Sequence, residues 1–415
     1  MSPEAIKVCY SIFFYDGYVG IAPTIINLTK IFVRQNAAVD IYGTKNTYPS
    51  PGYLGENVNI AYFLKGTRLF NYLQKKGIKN IIPLGEFLFY FIPCFQKILQ
   101  KTIRNISQSN SQPKQSINIA VDLYGAITAL FFFLIFQQKF LFLSLELHDP
   151  NNYQGISRIL TFLAKLAAQK SEAIIIQDQD RFQTFCQFYD YYHPQVFYLP
   201  NSTLAETDHS KNISENFFRQ KFNLDTQQFP YILLQAGMIA DAVYSQTLAQ
   251  TFNQIEDKYT LVFHDRSPRQ EDPYIQKLRQ TNTHNLFLSL EPVPYNQLDE
   301  IYQAADIGLA FYQDLSNNFS QIALASGKLP QYLKQGKPVL VNNLPSLQVF
   351  VEKYQIGQVI NDPTDPQEMQ IAIAKILDNY EFYQNNALAC FSAEFDFGNK
   401  VKPLLEFIEK KYCLE

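Results

Sequence analysis

Residues 286–312 read LFLSLEPVPYNQLDEIYQAADIGLAFY, and residues 325–341 read ASGKLPQYLKQGKPVLV. Three short apolar runs, 286–289, 307–310 and 338–341, stand in this stretch with helical segments between them. Apolar runs of strand length that alternate with helices describe a parallel sheet covered on both faces, because only a strand buried on both sides can stay apolar at every position. The stretch therefore belongs to a doubly wound α/β domain, whose ligands bind beyond the carboxyl ends of the strands.

The same rhythm extends in both directions. Runs 231–235, 260–263 and 358–360 read as further strands of this domain, which is expected to occupy residues 230–393. Upstream, strands are expected at 6–14, 38–42, 117–122, 140–145, 173–177 and 196–199, with helices near 21–33, 125–137, 157–169 and 179–188, giving a first domain over residues 1–205. Residues 107–116 (SQSNSQPKQS) are polar and aperiodic, as a surface loop is. Residues 206–229 read as a linker, and an amphipathic helix within 394–415 is expected to pack back towards the first domain. The fold class is α/β, with two Rossmann-like domains facing a central cleft.

Composition excludes several alternatives. A chain of 415 residues with 47% hydrophobic and 18% charged residues buries an ample core, and its 35 Phe and 27 Tyr are an aromatic surplus rather than a sign of disorder. A net charge of −3 supplies no basic field for nucleic acid. The five cysteines lie apart, without metal-site or disulfide spacing, which fits a reducing cytoplasm. The beginning MSPEAIKV lacks an export signal, so a periplasmic binding protein is disfavoured. Both longest apolar runs, 87–95 and 126–136, fall short of the ~20 residues of a spanning helix.

The order of short motifs resembles the donor half of GT-B glycosyltransferases, in the large retaining group often described as group 1 or family 4-like. The matching pieces are Ala304-Ala305-Asp306, Gly336-Lys337-Pro338-Val339, the strand-and-glycine segment Ile232 to Gly237, and Tyr198-Leu199-Pro200-Asn201-Ser202, which is similar to the element that ends the acceptor half. The resemblance covers about residues 196–378. It implies a transferase that moves a sugar from a nucleotide sugar, such as a UDP- or GDP-sugar, to a glycan, lipid-linked glycan or protein in polysaccharide biosynthesis, with retention and without a cofactor. Residues expected at the donor are Gly17, Gly237, Arg266, Pro292, Val293, Ser326, Gly327, Lys328 and Leu329.

Physics supports part of that set independently. Ser326 is a good N-cap, Gly327 permits close backbone approach, and the helix they open should close at Gly336. Free amides at such a start, with Lys328 beside them, suit a diphosphate. Two departures stand out. Relatives carry a basic pair after the glycine equivalent to Gly237, where this chain has Met238; Arg266, Arg269 and Lys328 are the nearest substitutes, with Arg269 read as an ordinary exposed arginine. The paired glutamates of the group fall on Ala323 and Gln331. No metal is expected, on the reading that the whole chain lacks an Asp-x-Asp pair to supply the oxygen ligands a metal-held diphosphate needs.

On the acceptor side, Ser144, Glu146 and His148 follow an apolar strand, and alternation would put them on one face. Glu146 and His148 are the expected catalytic residues, and Asp178 reads as a helix cap. The segment 84–104, with Phe residues followed by Lys97, Lys101 and Arg104 at helical spacing, fits core or a peripheral membrane contact; core is the expectation. Two other functions share the fold: a sugar-nucleotide epimerase, which would need the missing carboxylates, and a non-catalytic relative that binds nucleotide sugar or acts as a scaffold.

Overall fold

The structure is a computed structural model that describes residues 8–15, 18–44, 48–63, 67–107, 115–206, 216–281 and 284–412. It resolves into two compact units, one of residues 1–47, 53–199 and 401–415, the other of residues 48–52 and 200–400.

The first unit holds a seven-stranded sheet: β1 (Val8–Phe14), β2 (Ala38–Thr44), β3 (Val58–Phe63), β4 (Gln115–Val121), β5 (Phe140–Leu143), β6 (Ile174–Ile176) and β7 (Val196–Tyr198). The strands lie in the order β3-β2-β1-β4-β5-β6-β7, all parallel. Helices on both faces bury the central strands completely, which is why β5 reads Phe-Leu-Phe-Leu without a polar position. Strand β3 was not among the sequence expectations. It is an edge strand whose Asn59 and Tyr62 face solvent, so it lacks the continuous apolar run of its neighbours.

The second unit holds six parallel strands: β8 (Tyr231–Ala236), β9 (Tyr259–Asp265), β10 (Leu286–Leu290), β11 (Ile307–Ala310), β12 (Val339–Asn342) and β13 (Gly357–Ile360), in the order β10-β9-β8-β11-β12-β13. In each sheet the chain winds outward on one side and then crosses to the other. The crossing falls between β1 and β4 in the first sheet and between β8 and β11 in the second, and loops that leave a sheet at such a switch point form its ligand crevice.

The segment after residue 200 packs on the second unit. Asn216 caps the helix Phe217–Phe222 and its amide donates to the Ala304 carbonyl, while Arg219 donates to the carbonyls of Phe229 and Pro230. The chain end packs on the first unit. Where one helix was expected within residues 394–415, the structure has Phe397–Lys400 and Lys402–Tyr412. In the latter, Leu404, Ile408 and Tyr412 are buried, Phe407 meets the Phe197 ring at 5.1 Å, and Lys411 pairs with Glu172 at 2.5 Å.

Candidate active site

At the switch point of the second sheet, one side chain joins the two diverging strands. The Tyr332 hydroxyl accepts from the Ala236 amide at 3.0 Å and donates to the Leu234 carbonyl at 2.6 Å, and it lies 3.4 Å from the Leu309 carbonyl of β11. Its ring lies against Gly308, where a Cβ would stand 2.3 Å away, so only glycine fits there. Directly after β8, Gly237 adopts φ +98°, a conformation that suits glycine, and its amide donates to the His264 carbonyl. Met238 beside it is 55% exposed.

Lys328 stands at the end of the loop that leaves β11. That loop is tied down at several points: Tyr312 exchanges two hydrogen bonds between its backbone and the Asn342 side chain, and Asn201 bonds the Leu324 and Ala325 carbonyls. The Ser326 hydroxyl meets the Tyr312 hydroxyl at 2.7 Å and accepts from the Leu329 amide at 3.2 Å. The helix expected to start at Ser326 starts at Leu329 instead and is only six residues long, ending as expected at Gly336, φ +63°. Pro330 supplies the helical φ at its first turn, which places the start later than the capping pattern implied. Lys328 itself is 8% exposed, with Nζ 4.9 Å from the centroid of the Tyr312 ring. Among the described residues, Nζ has no hydrogen-bond partner. Burial lowers its pKa to about 8, so it stays cationic at neutral pH at a cost in free energy.

The other expected donor residues form a second cluster. Arg266 lies past β9 and donates through Nε to the Val293 carbonyl at 2.6 Å and through Nη2 to the Ser50 carbonyl at 2.7 Å, so Arg266 and Val293 come together while Pro292 lies exposed beside them. Burial lowers the Arg266 pKa to about 10, which leaves it charged. Arg269 is not an ordinary exposed arginine: it is half-buried and pairs with Asp265 and Asp272. His264 is buried, with Nδ1 2.9 Å from the Ser289 hydroxyl, and burial, followed by the charges of Arg266 and Lys221, lowers its pKa to about 3. At the glutamate positions, Ala323 and Gln331 are both buried, and the Gln331 amide lies 3.5 Å from the Tyr295 hydroxyl. Gly327 is half-buried. Gly17 lies outside the described residues.

In the first unit, β5 stops at Leu143, so Ser144, Glu146 and His148 lie in a loop and alternation does not govern them. Ser144 is buried and bonds the Glu146 carbonyl, Glu146 is exposed, and His148 is half-buried. Asp122 organises this loop. It follows β4 at the switch point with φ +54°, and its Oδ1 accepts from the amides of Leu145 and Glu146 at 2.7 and 2.9 Å. Arg181, 1% exposed, donates to the Leu145 carbonyl and to Gln177, whose own amide reaches the Ser144 and Leu145 carbonyls. The Glu146 side chain reaches solvent, yet the protein mass around it raises its carboxyl and Arg181 opposes that shift. Burial lowers His148 to about 4, so the ring is neutral; its Nδ1 lies 3.5 Å from the Tyr153 hydroxyl, and among the described residues its buried Nε2 has no hydrogen-bond partner.

Sequence reasoning missed Asp122, Arg181 and Tyr332. A charged residue at the head of an apolar helix and an arginine within a helix ordinarily face water, so neither announced a buried network. The chain does contain one Asp-x-Asp, Asp178-Gln179-Asp180, which an expectation of no metal has to account for. Asp178 caps the helix Gln179–Tyr189 by accepting from the Arg181 amide at 2.8 Å, as expected for a cap. Among the described residues, no group of three His, Cys, Asp or Glu side chains gathers as a metal site.

No family model matches the sequence, and no curated protein matches it. Solved structures do. The chain is similar to HepE from Anabaena in complex with UDP and glucose, at 14% identity and a TM-score of 0.68 over 96% of this chain and 99% of that one. It is similar to a sucrose-phosphate synthase from Thermosynechococcus elongatus, at 13% identity and a TM-score of 0.64 over 99% and 100%. It is also similar to WaaG, a glycosyltransferase involved in lipopolysaccharide biosynthesis, at 12% identity and a TM-score of 0.58 over 95% and 98%. At these identities the likeness defines the fold: the chain is a GT-B-fold protein over its full described length.

Proposed function

We propose that the protein is a glycosyltransferase that takes a sugar from a nucleoside-diphosphate sugar, with retention and without a metal, and passes it to a carbohydrate-bearing acceptor in polysaccharide assembly. The observation that carries this reading is the buried ammonium of Lys328 beside the switch point of the second sheet, which has no hydrogen-bond partner among the described residues. The Tyr312 ring offsets part of its desolvation cost, and an arriving anion would offset the rest; a departing diphosphate is an anion whose charge grows as the sugar bond breaks. Lys328 then stabilises the leaving group, with Gly237, Ser326, Gly327 and Leu329 beside the phosphates and the Arg266–Val293 contact supporting the donor loop. That similar folds include HepE in complex with UDP-glucose agrees with this reading.

In the first unit, the Asp122–Arg181 network holds the loop of Glu146 and His148, which we assign to the acceptor. A neutral imidazole whose Nε2 has no partner among the described residues suits an acceptor hydroxyl, as proton acceptor or as hydrogen-bond partner. The buried Gln331 and Ala323 favour a second reading, a relative that binds nucleotide sugar without transferring it. Thermal melting against UDP-, GDP-, ADP- and TDP-sugars, followed by release of the free nucleoside diphosphate in the presence of candidate acceptors, separates the two. A melting shift with turnover supports transfer, a shift without turnover supports the second reading, and no shift with any nucleotide refutes both.

A further inference from the structure

The helix Ile82–Ser107 carries more apolar surface than its own unit covers. Its inward stripe, Phe87, Tyr90, Cys94 and Ile98, is buried at helical spacing, and the Tyr90 hydroxyl donates to the Tyr42 carbonyl at 2.8 Å. The expectation of core holds for that stripe alone. Over Ile82–Gln100 only 22% of the helix is buried, and Leu88, Phe89 and Ile92 on its outer face are 42%, 45% and 51% exposed. The preceding helix Thr67–Lys75 packs beside it, with Phe70 edge-on to Phe89 at 5.4 Å, and it exposes Leu69 and Tyr72. Ile78 and Ile81 in the connection are exposed as well. Single exposed apolar side chains are ordinary, but seven on two consecutive helices and their connection make a patch.

The charge around this patch selects its partner. Between residues 67 and 97 stand Arg68, Lys75, Lys76, Lys79 and Lys97 against one acid, Glu86, so the segment is cationic in a chain whose net charge is −3. Glu86 is drawn inward, bonded by the Tyr124 hydroxyl at 3.4 Å. Apolar side chains set among five cations and a single half-buried acid match the boundary of an anionic bilayer, where acyl chains receive the former and headgroups the cations. By length and composition the helix could also cross a membrane. A spanning helix, however, does not give a stripe of four residues to a sheet-bearing core.

We propose that this face docks on an anionic lipid surface, with the helix lying in the plane of the interface. The test is co-sedimentation of the full chain with vesicles of phosphatidylcholine alone and of phosphatidylcholine mixed with phosphatidylglycerol. Binding is expected to the anionic vesicles only, with release in high salt. The triple variant Lys75→Glu/Lys76→Glu/Lys79→Glu should bind on the order of a hundredfold more weakly, and Leu88→Ser/Phe89→Ser/Ile92→Ser should lose binding. All six positions are exposed, with Phe89 alone holding a ring partner, Phe70; the charge variant should melt with the wild type, the apolar variant slightly below it, and unchanged nucleotide shifts in both identify the loss as one of docking. Equal binding to neutral vesicles, or wild-type binding by the charge variant, overturns the proposal. So does a chain that resists both salt and carbonate washing, which would indicate spanning, or one that ignores vesicles and self-associates through Ile92.

Discussion

Replacing Lys328 with Met should make the protein more stable and less able to bind nucleotide. The magnitude follows from the ammonium's environment: burial brings its pKa from 10.5 to about 8. At about 1.4 kcal/mol per pH unit, keeping the proton costs the folded state about 3 kcal/mol below pH 8. The sign is that of a cation with a depressed pKa. Between the two values the unfolded chain holds more protons than the folded one, so wild-type stability rises with pH across that window. Lys328→Met, which titrates nowhere, should therefore exceed the wild type most below pH 8, by roughly 5–10 °C in melting temperature for a unit of this size, and the difference should close as pH approaches 10.5. Calorimetry across this pH range reads the first effect, and titration with UDP and GDP reads the second. Wild-type affinity should be flat below pH 8 and then fall by about tenfold per pH unit as the ammonium loses its proton. A variant that melts with the wild type at neutral pH, or binds the responsive nucleotide equally, refutes the assignment of Lys328 as an anion-seeking buried cation.

Three further outcomes are expected. Gly308→Ala puts a Cβ 2.3 Å from the Tyr332 ring and should destabilise by about 1–3 kcal/mol, seen as a lower urea midpoint; an unchanged midpoint would mean that Tyr332 moves aside freely. Asp122→Ala strips the acceptor from two loop amides and leaves alanine at φ +54°, for a loss of about 2–4 kcal/mol, and turnover should fall while nucleotide binding persists. Glu146→Gln should slow transfer by about a hundredfold in excess EDTA, a medium that should leave the wild-type rate intact; wild-type activity that vanishes with chelator and returns with magnesium would contradict metal independence.

The two winding sheets were legible because burial on both faces leaves a plain signature, runs such as residues 140–143 with no polar position. Edge strand β3 was not, since one face in water interrupts its run. Lys328 was legible through its place after a strand and before Gly336, yet its burial was not, because a lysine in sequence carries no mark of what surrounds it. The same limit hid Arg181 and Asp122, whose roles arise only when β4, β5 and a helix nearly sixty residues downstream meet. Tyr332 reads as one more apolar residue of a short helix. What makes it a keystone is the absence of a side chain at Gly308, and that is a pairing across the fold rather than a local pattern. The outer face of Ile82–Ser107 was misassigned for the opposite reason: aromatic residues at helical spacing look the same whether they face a core or a boundary.

The return of residues 401–412 to the first unit also bears on how this protein is made. On a ribosome, β1 to β7 emerge long before the helix that meets Phe197 and pairs with Glu172, and about two hundred residues of the second unit are synthesised in between. The first unit therefore waits, with one flank open, until the rest of the chain has been delivered. The second unit, continuous from residue 200 to 400 apart from the short insertion 48–52, has no such dependence and can close first. A fragment of residues 200–400 supplied with the 48–52 segment, whose Ser50 carbonyl Arg266 bonds, is the sounder route to an isolated second unit, while a fragment ending near residue 200 inherits an uncovered apolar flank and should aggregate.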